Sequence, residues 1–176
     1  TLTPSEFQIA EEVSADLARR RFVVRDVRAL GSKRAERILD AIRAEPADVV
    51  MLDHAQEVIT EGESRALELG LFFARLKEVA LARPCVVFCA AQLSRLTDQS
   101  RDLPALAALK ESGGTEEKAD VVLLLHHWAR TGAKRPDDEL EVVVAKNRDG
   151  ETGRCCVRFV MRYALVEPMP PAAAPK

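Results

Sequence analysis

Apolar runs that end in a polar residue able to do chemistry recur along this chain. Asp53 directly follows Asp48-Val49-Val50-Met51-Leu52, Gln92 closes the run from Cys85, His126 and His127 follow the run from Asp120, and Lys146 with Arg148 ends the run from Glu141. An aspartate at the end of such a run has the form of a Walker B element, in which a carboxylate holds Mg²⁺ or its water shell beside phosphates. The same string describes a strand-end aspartate capping a turn. Gln92 stands behind the small Ala90 and Ala91, so its amide can approach a γ-phosphate or a water, or can satisfy loop backbone. Lys146 and Arg148 are two apart on an extended segment and project to one side. Two such cations can neutralise a phosphate, the guanidinium bidentately, or can form a solvated basic turn.

A further candidate lies between the second and third of these runs. In Lys110-Glu111-Ser112-Gly113-Gly114 the paired glycines let backbone N–H groups approach an anion, with a lysine and a serine beside them. This suits a sugar-phosphate backbone, and it equally suits a flexible loop capping a helix at Thr115. His54, His126 and His127 lack the paired spacing of a metal site and read as local hydrogen-bonding residues. Trp128 fits packing as well as base stacking. The cysteines at 85, 89, 155 and 156 suit neither a zinc site nor a disulfide framework, and are expected as reduced core residues.

The elements that must position these residues are legible from periodicity. Thr3, Pro4 and Glu6 open a helix with a capping box, and Phe7, Ala10, Val13 and Leu17 recur at helical spacing. Arg21 to Asp26 is a short strand candidate, and Ser32 begins a second helix carrying Ile38, Leu39 and Ile42. The four apolar runs predict strands buried on both faces, as in a parallel sheet covered by helices. A long helix from Ser64 to Ala82, carrying Leu67, Leu71, Ala74, Val79 and the pair Phe72 and Phe73, joins the first two as a crossover unit. Ser94 to Gly114 and His127 to Asp138 read as long loops, Arg154 to Glu167 as a strand or hairpin, and the Pro/Ala-rich tail at 168–176 as disordered. Residues 1–167 are expected to belong to one domain.

Composition narrows the class. The 176 residues are 47% hydrophobic and 31% charged, enough for one ordinary core. A net charge of −2 gives no global attraction to nucleic acid, so such contact must come from a local patch. No apolar run approaches the roughly 20 residues of a membrane span, so a cytoplasmic protein without membrane contact is expected. None of the eight glycines is followed by lysine, so the Gly-x-x-x-x-Gly-Lys loop that would cradle phosphates is missing. Since the chain opens at Thr1, that loop is expected upstream, in the other part of a longer protein.

Taken together, the motifs resemble the RecA-like motor domain of DnaB-type hexameric replicative DNA helicases, from about Phe22 to Glu167. Val49-Val50-Met51-Leu52-Asp53-His54-Ala55-Gln56 looks like the family's Walker B stretch, and Ala91-Gln92-Leu93-Ser94-Arg95 is similar to its Ser-Gln-Leu-x-Arg motif. Lys110-Glu111-Ser112-Gly113, with Glu116 and Ala119-Asp120-Val121-Val122, resembles its Arg-Glu-Ser-Gly segment and the following strand. Ala145-Lys146-Asn147-Arg148-Asp149-Gly150 with Thr152-Gly153 looks like its Lys-x-Arg-x-Gly-x-x-Gly signature. Four matches in order are far more specific than any one.

The resemblance implies an α/β fold: a RecA-like P-loop NTPase core with a mostly parallel sheet flanked by helices, lacking the P-loop strand, with a C-terminal strand or hairpin. It implies ATP and Mg²⁺ as cofactors, with Asp53 assisting the metal through water and Gln92 sensing the γ-phosphate and relaying that state toward DNA. Lys146 and Arg148 would reach a neighbouring subunit's nucleotide, and Lys110, Glu111 and Gly113 would touch single-stranded DNA in a central channel. The implied partners are further copies in a homo-hexamer, primase and a helicase loader. Departures from the pattern include His54 for tyrosine, Ala91 for serine and Lys110 for arginine, the last losing the bidentate fork. The implied activity is that of an ATP-dependent DNA helicase, the piece alone being inactive. Two alternatives stand beside it: another RecA-fold ATPase of the recombination or clock type, and a degenerate binding module that hydrolyses nothing.

Overall fold

The computed structural model describes residues 3–27, 29, 31, 34–45, 47–58, 65–93, 106, 115–128 and 136–169. Helix α1 (Pro4–Arg19) opens with the expected capping box: the Thr3 N–H donates to Glu6 Oε2 at 2.8 Å, and Thr3 Oγ1 accepts from the Glu6 N–H at 3.4 Å. Two of the orphan donors of the first turn are thereby satisfied. Helix α2 (Arg34–Ala44) precedes strand β1 (Val49–Leu52), a short 3₁₀ turn (Ala55–Glu57) and the long helix α3 (Arg65–Ala82). Strand β2 (Val86–Cys89), a one-turn helix α4 (Thr115–Lys118) and strands β3 (Val121–His127), β4 (Glu139–Asn147), β5 (Gly153–Val160) and β6 (Leu165–Pro168) complete the described order.

β1 and β2 pair in parallel, Val49 opposite Val86 and Leu52 opposite Cys89, with α3 as the crossover between them. The apolar stripes of α2 and α3 meet one face of this pair. Ile38, Leu39 and Ile42 pack with Leu69, Phe72, Phe73, Leu76 and Val79, and with Leu52, Ala55 and Val58, as one core. Leu39 is fully enclosed, and an edge-to-face contact between Phe72 and Phe73 fills the helix side. A second, smaller core under β3 joins Val122 and Leu124 to Leu93, Leu106, Ala119, Val143 and Ala145.

Three expectations need correction. Parallel pairing is confined to β1 and β2 among the described residues, because β3 to β6 form an antiparallel sheet in sequence order. The mixed α/β class stands, while the sheet is not mostly parallel. The short turns from Asn147 to Gly153 and from Val160 to Leu165 force the last two pairings, being far shorter than the dozen or so residues a parallel crossover requires. Strands β1, β2 and β3 are also covered on one face only, whereas β4 is buried or half-buried along its length. Val49, Met51, Val86, Phe88, Val121, Leu123 and Leu125 are exposed while their alternating neighbours are covered, so their apolar character does not report burial on both sides. Finally, Arg21 to Asp26 is not a strand: Phe22, Val23 and Val24 are exposed, and the Phe22 N–H bonds back to the Arg20 carbonyl. The C-terminal hairpin is present, β5 and β6 being joined by a 3₁₀ turn (Met161–Tyr163) and by Ala164 at φ 49°. Pro168 belongs to β6, and the tail beyond residue 169 lies outside the described residues.

Candidate phosphate-facing site

The carboxyl ends of β1 and β2 are tied together by short-range backbone chemistry. The Ala90 N–H donates to the Leu52 carbonyl at 3.0 Å, and the Ala55 N–H to the Ala90 carbonyl at 2.8 Å. Gln56 then reads the next residue pair: its Nε2 donates to the Gln92 carbonyl, and its Oε1 accepts from the Gln92 N–H, each at 3.2 Å. The backbone of Gln92 is thus held by a side-chain amide from the β1 exit, and its own side chain is exposed. Asp53 lies immediately beside this clamp with its side chain 90% exposed, its carboxylate 3.8 Å from His54 Nδ1. The Asp53–His54 peptide is cis.

A single exposed carboxylate fits Mg²⁺ held through its water shell, with phosphates supplying other ligands. It would not fit an all-protein cage, and among the described residues there is no cluster of three or more His, Cys, Asp or Glu side chains able to hold a metal. Asp53 is therefore the residue that would hold such an ion.

Lys146 and Arg148 form a second group. The antiparallel register sets Val121 opposite Asn147, which brings the entrance of β3 beside the exit of β4. Both cations turn to the same short stretch before β3. Lys146 Nζ donates to the carbonyls of Glu116 at 2.7 Å and Glu117 at 3.3 Å. The Arg148 N–H donates to the Asp120 carbonyl at 2.9 Å, and its guanidinium lies 3.3 Å from the Asp120 carboxylate. Lys77 of α3 donates to that carboxylate as well. The Asp120 carboxyl is held below its ordinary range, first by the Lys77 hydrogen bond, which desolvation opposes, with the charges of Lys77, Arg148 and Lys146 each adding a smaller pull.

The structure thus sets Asp53 and Gln92 at the carboxyl ends of the paired strands β1 and β2, and gathers Lys146 and Arg148 on the stretch before β3. Lys110, Glu111 and Gly113 lie outside the described residues. Gln56, Lys77 and Asp120 were missed as polar partners of these residues. The first carries a signal in retrospect, as a glutamine three residues after Asp53. Asp120 carries none under a rule that looks only past the carboxyl ends of parallel strands, since it sits at a strand entrance.

The remaining candidates are accounted for locally. His126 is buried edge-on against Trp128, ring centroids 4.3 Å apart, and Trp128 Nε1 donates to Glu141 at 2.9 Å. His127 Nε2 lies 2.8 Å from the Asp137 carbonyl, and its ring meets Phe159. Of the cysteines, Cys155 is exposed and the other three are half-buried, contrary to the expected full burial. Burial pushes the Cys89 thiol up to about 11.

Comparison with known proteins identifies the class first. A solved DnaB-like replicative helicase, determined with its interactions with primase, superposes at a TM-score of 0.67 with 28% identity, over 76% of this chain and 34% of that one. A solved ATPase domain superposes at 0.66 with 26% identity, over 77% of this chain and 50% of that one. The fold is that of a RecA-like ATPase domain. The family model of the DnaB-like helicase C terminal domain matches residues 1–167, and this chain belongs to that family. Among individual relatives, the replicative DNA helicase DnaB of Leifsonia xyli subsp. xyli is 38% identical over 128 residues, 70% of this chain and 28% of its own length. A probable plasmid replicative DNA helicase of Chlamydia psittaci is 30% identical over 115 residues, 64% of this chain and 25% of its own. This chain therefore spans about a quarter of the length of either relative.

Proposed function

We propose that this chain is the C-terminal portion of the motor domain, residues 1–167, of an ATP-dependent replicative DNA helicase, acting on single-stranded DNA as a homo-hexameric ring. The observation that carries the reading is that Lys146 and Arg148 turn together to the stretch 116–120 and, among the described residues, make no ion pair with Asp53, in a chain of this family. Cations that are not paired with the chain's own Asp53 suit a nucleotide bound by a neighbouring subunit. There the guanidinium would meet negative charge that builds as the phosphoryl group leaves.

In this reading Asp53 holds the water shell of Mg²⁺, which neutralises phosphate charge when bound, and the Gln92 amide meets the γ-phosphate. The Gln56 clamp supports that role by fixing the Gln92 backbone to the β1 exit. Lys110, Glu111 and Gly113 contact the phosphates of one DNA strand, and a few such contacts repeated around a ring let an acidic chain grip DNA. The nucleotide's phosphates need a P-loop from another part of the polypeptide. A cytoplasmic location with primase and loader partners completes the proposal; no helix among the described residues is long and apolar enough to cross a membrane. The relatives are replicative helicases, which favours this reading over a recombination or clock-type ATPase.

The test is Arg148→Ala in the intact protein. Hydrolysis of ATP should be abolished while equilibrium nucleotide binding is retained, because the residue would act on a neighbour's phosphate. DNA-stimulated turnover at the normal rate would remove Arg148 from the site.

A further inference from the structure

We propose, resting on that reading of Arg148, that Asp120 is a positioning residue for the basic pair. Asp120 ends the link between α4 and β3, and the register of Val121 with Asn147 sets it beside Arg148. It holds Arg148 at two points: its carbonyl accepts the Arg148 N–H at 2.9 Å, and its Oδ1 lies 3.3 Å from Arg148 Nη1. Its second oxygen, Oδ2, takes the Lys77 ammonium from α3. The two carboxylate oxygens are thus divided between two cations, so the long helix orients the carboxylate and the carboxylate in turn orients the guanidinium.

One nitrogen of the planar guanidinium engages Asp120, and the rest of the five-donor fork remains for a phosphate. Lys146 rests on the adjacent Glu116 and Glu117 carbonyls, so both cations are placed by the stretch 116–120. Exposed ion pairs are weak. The Asp120 contact can therefore aim Arg148 without competing strongly with a polyphosphate for it. Asp120 touches no reacting atom in this account; it acts through Arg148, and placement of a charge-stabilising group matters steeply to rate.

The test measures kcat and KM for ATP hydrolysis by the intact protein for Asp120→Asn, Asp120→Glu and Arg148→Ala, with a melting curve for each. Asp120→Asn keeps the shape and the carbonyl contact and loses the charge; kcat should fall about tenfold with KM within about twofold. Asp120→Glu keeps the charge and should retain most of the turnover. The reverse order, with Asn tolerated and Glu impaired, would show that shape matters and overturn the assignment. So would a loss of kcat that merely tracks a lowered melting temperature. An inactive Arg148→Ala beside an unimpaired Asp120→Asn would sink the Asp120 assignment alone, whereas normal turnover by Arg148→Ala would sink the reading of Arg148 on which it rests.

Discussion

At the scale of the residue, charge placement governs the site. Asp120 sits among Lys77, Lys146 and Arg148, and its carboxyl is held below the ordinary carboxylate range chiefly by the Lys77 hydrogen bond. The sign follows from linkage: a carboxylate whose folded value is lowered adds stability above its unfolded value, and that contribution is lost as pH falls through the folded value. A carbon-13 titration of the Asp120 carboxyl should give a midpoint below 3.8, and Lys77→Met should move it upward. A midpoint indifferent to that substitution would contradict the assignment of Lys77 as the main cause. The positions of Asp53, Gln92, Lys146 and Arg148 at or just past the ends of strands are legible in the sequence because each lies at the end of an apolar run, a pattern local enough to read along the chain. Their partners were not. The Gln56 to Gln92 clamp depends on which strands lie side by side, and the Asp120 to Arg148 contact depends on an antiparallel register, neither of which is written in adjacent residues.

At the scale of the element, periodicity gave the helices well and the sheet imperfectly. The stripe of α2 identified its buried face, since Ile38, Leu39 and Ile42 all enter the core, whereas that of α3 did so in part: Phe72, Phe73 and Val79 are buried, but Leu67 and Leu71 stand exposed and Leu69 and Leu76 fill the core instead. Leu39→Ala should destabilise the folded protein by about 2–5 kcal/mol, because the side chain is enclosed and its removal leaves a cavity. Urea unfolding of the intact protein measures this, and a loss under about 1 kcal/mol would mean that α2 is not part of the core. The strands defeated the same reasoning. An unbroken apolar run specifies neither how many faces are covered nor the direction of the neighbour, so Val121, Leu123 and Leu125 were expected inside and stand exposed. Val23 and Val24 show the complementary failure: β-branched residues favour a strand, yet their backbone pairs with no strand among the described residues.

At the scale of the whole molecule, the proposed function makes the chain half a site. Lys146 and Arg148 make no ion pair with Asp53 among the described residues, and in a ring each subunit would lend its basic pair to the next through a head-to-tail interface. Such a division of labour has a direct test in mixed rings of two inactive variants, Asp53→Ala and Arg148→Ala. An interface that joins an Arg148→Ala subunit, with its metal-facing carboxylate intact, to the basic pair of an Asp53→Ala neighbour contains one working copy of everything. If interfaces act independently, random equal mixing should restore ATP hydrolysis to roughly a quarter of the wild-type rate. Mixtures as inactive as either variant alone would contradict the claim, since no interface would then have been completed by its neighbour.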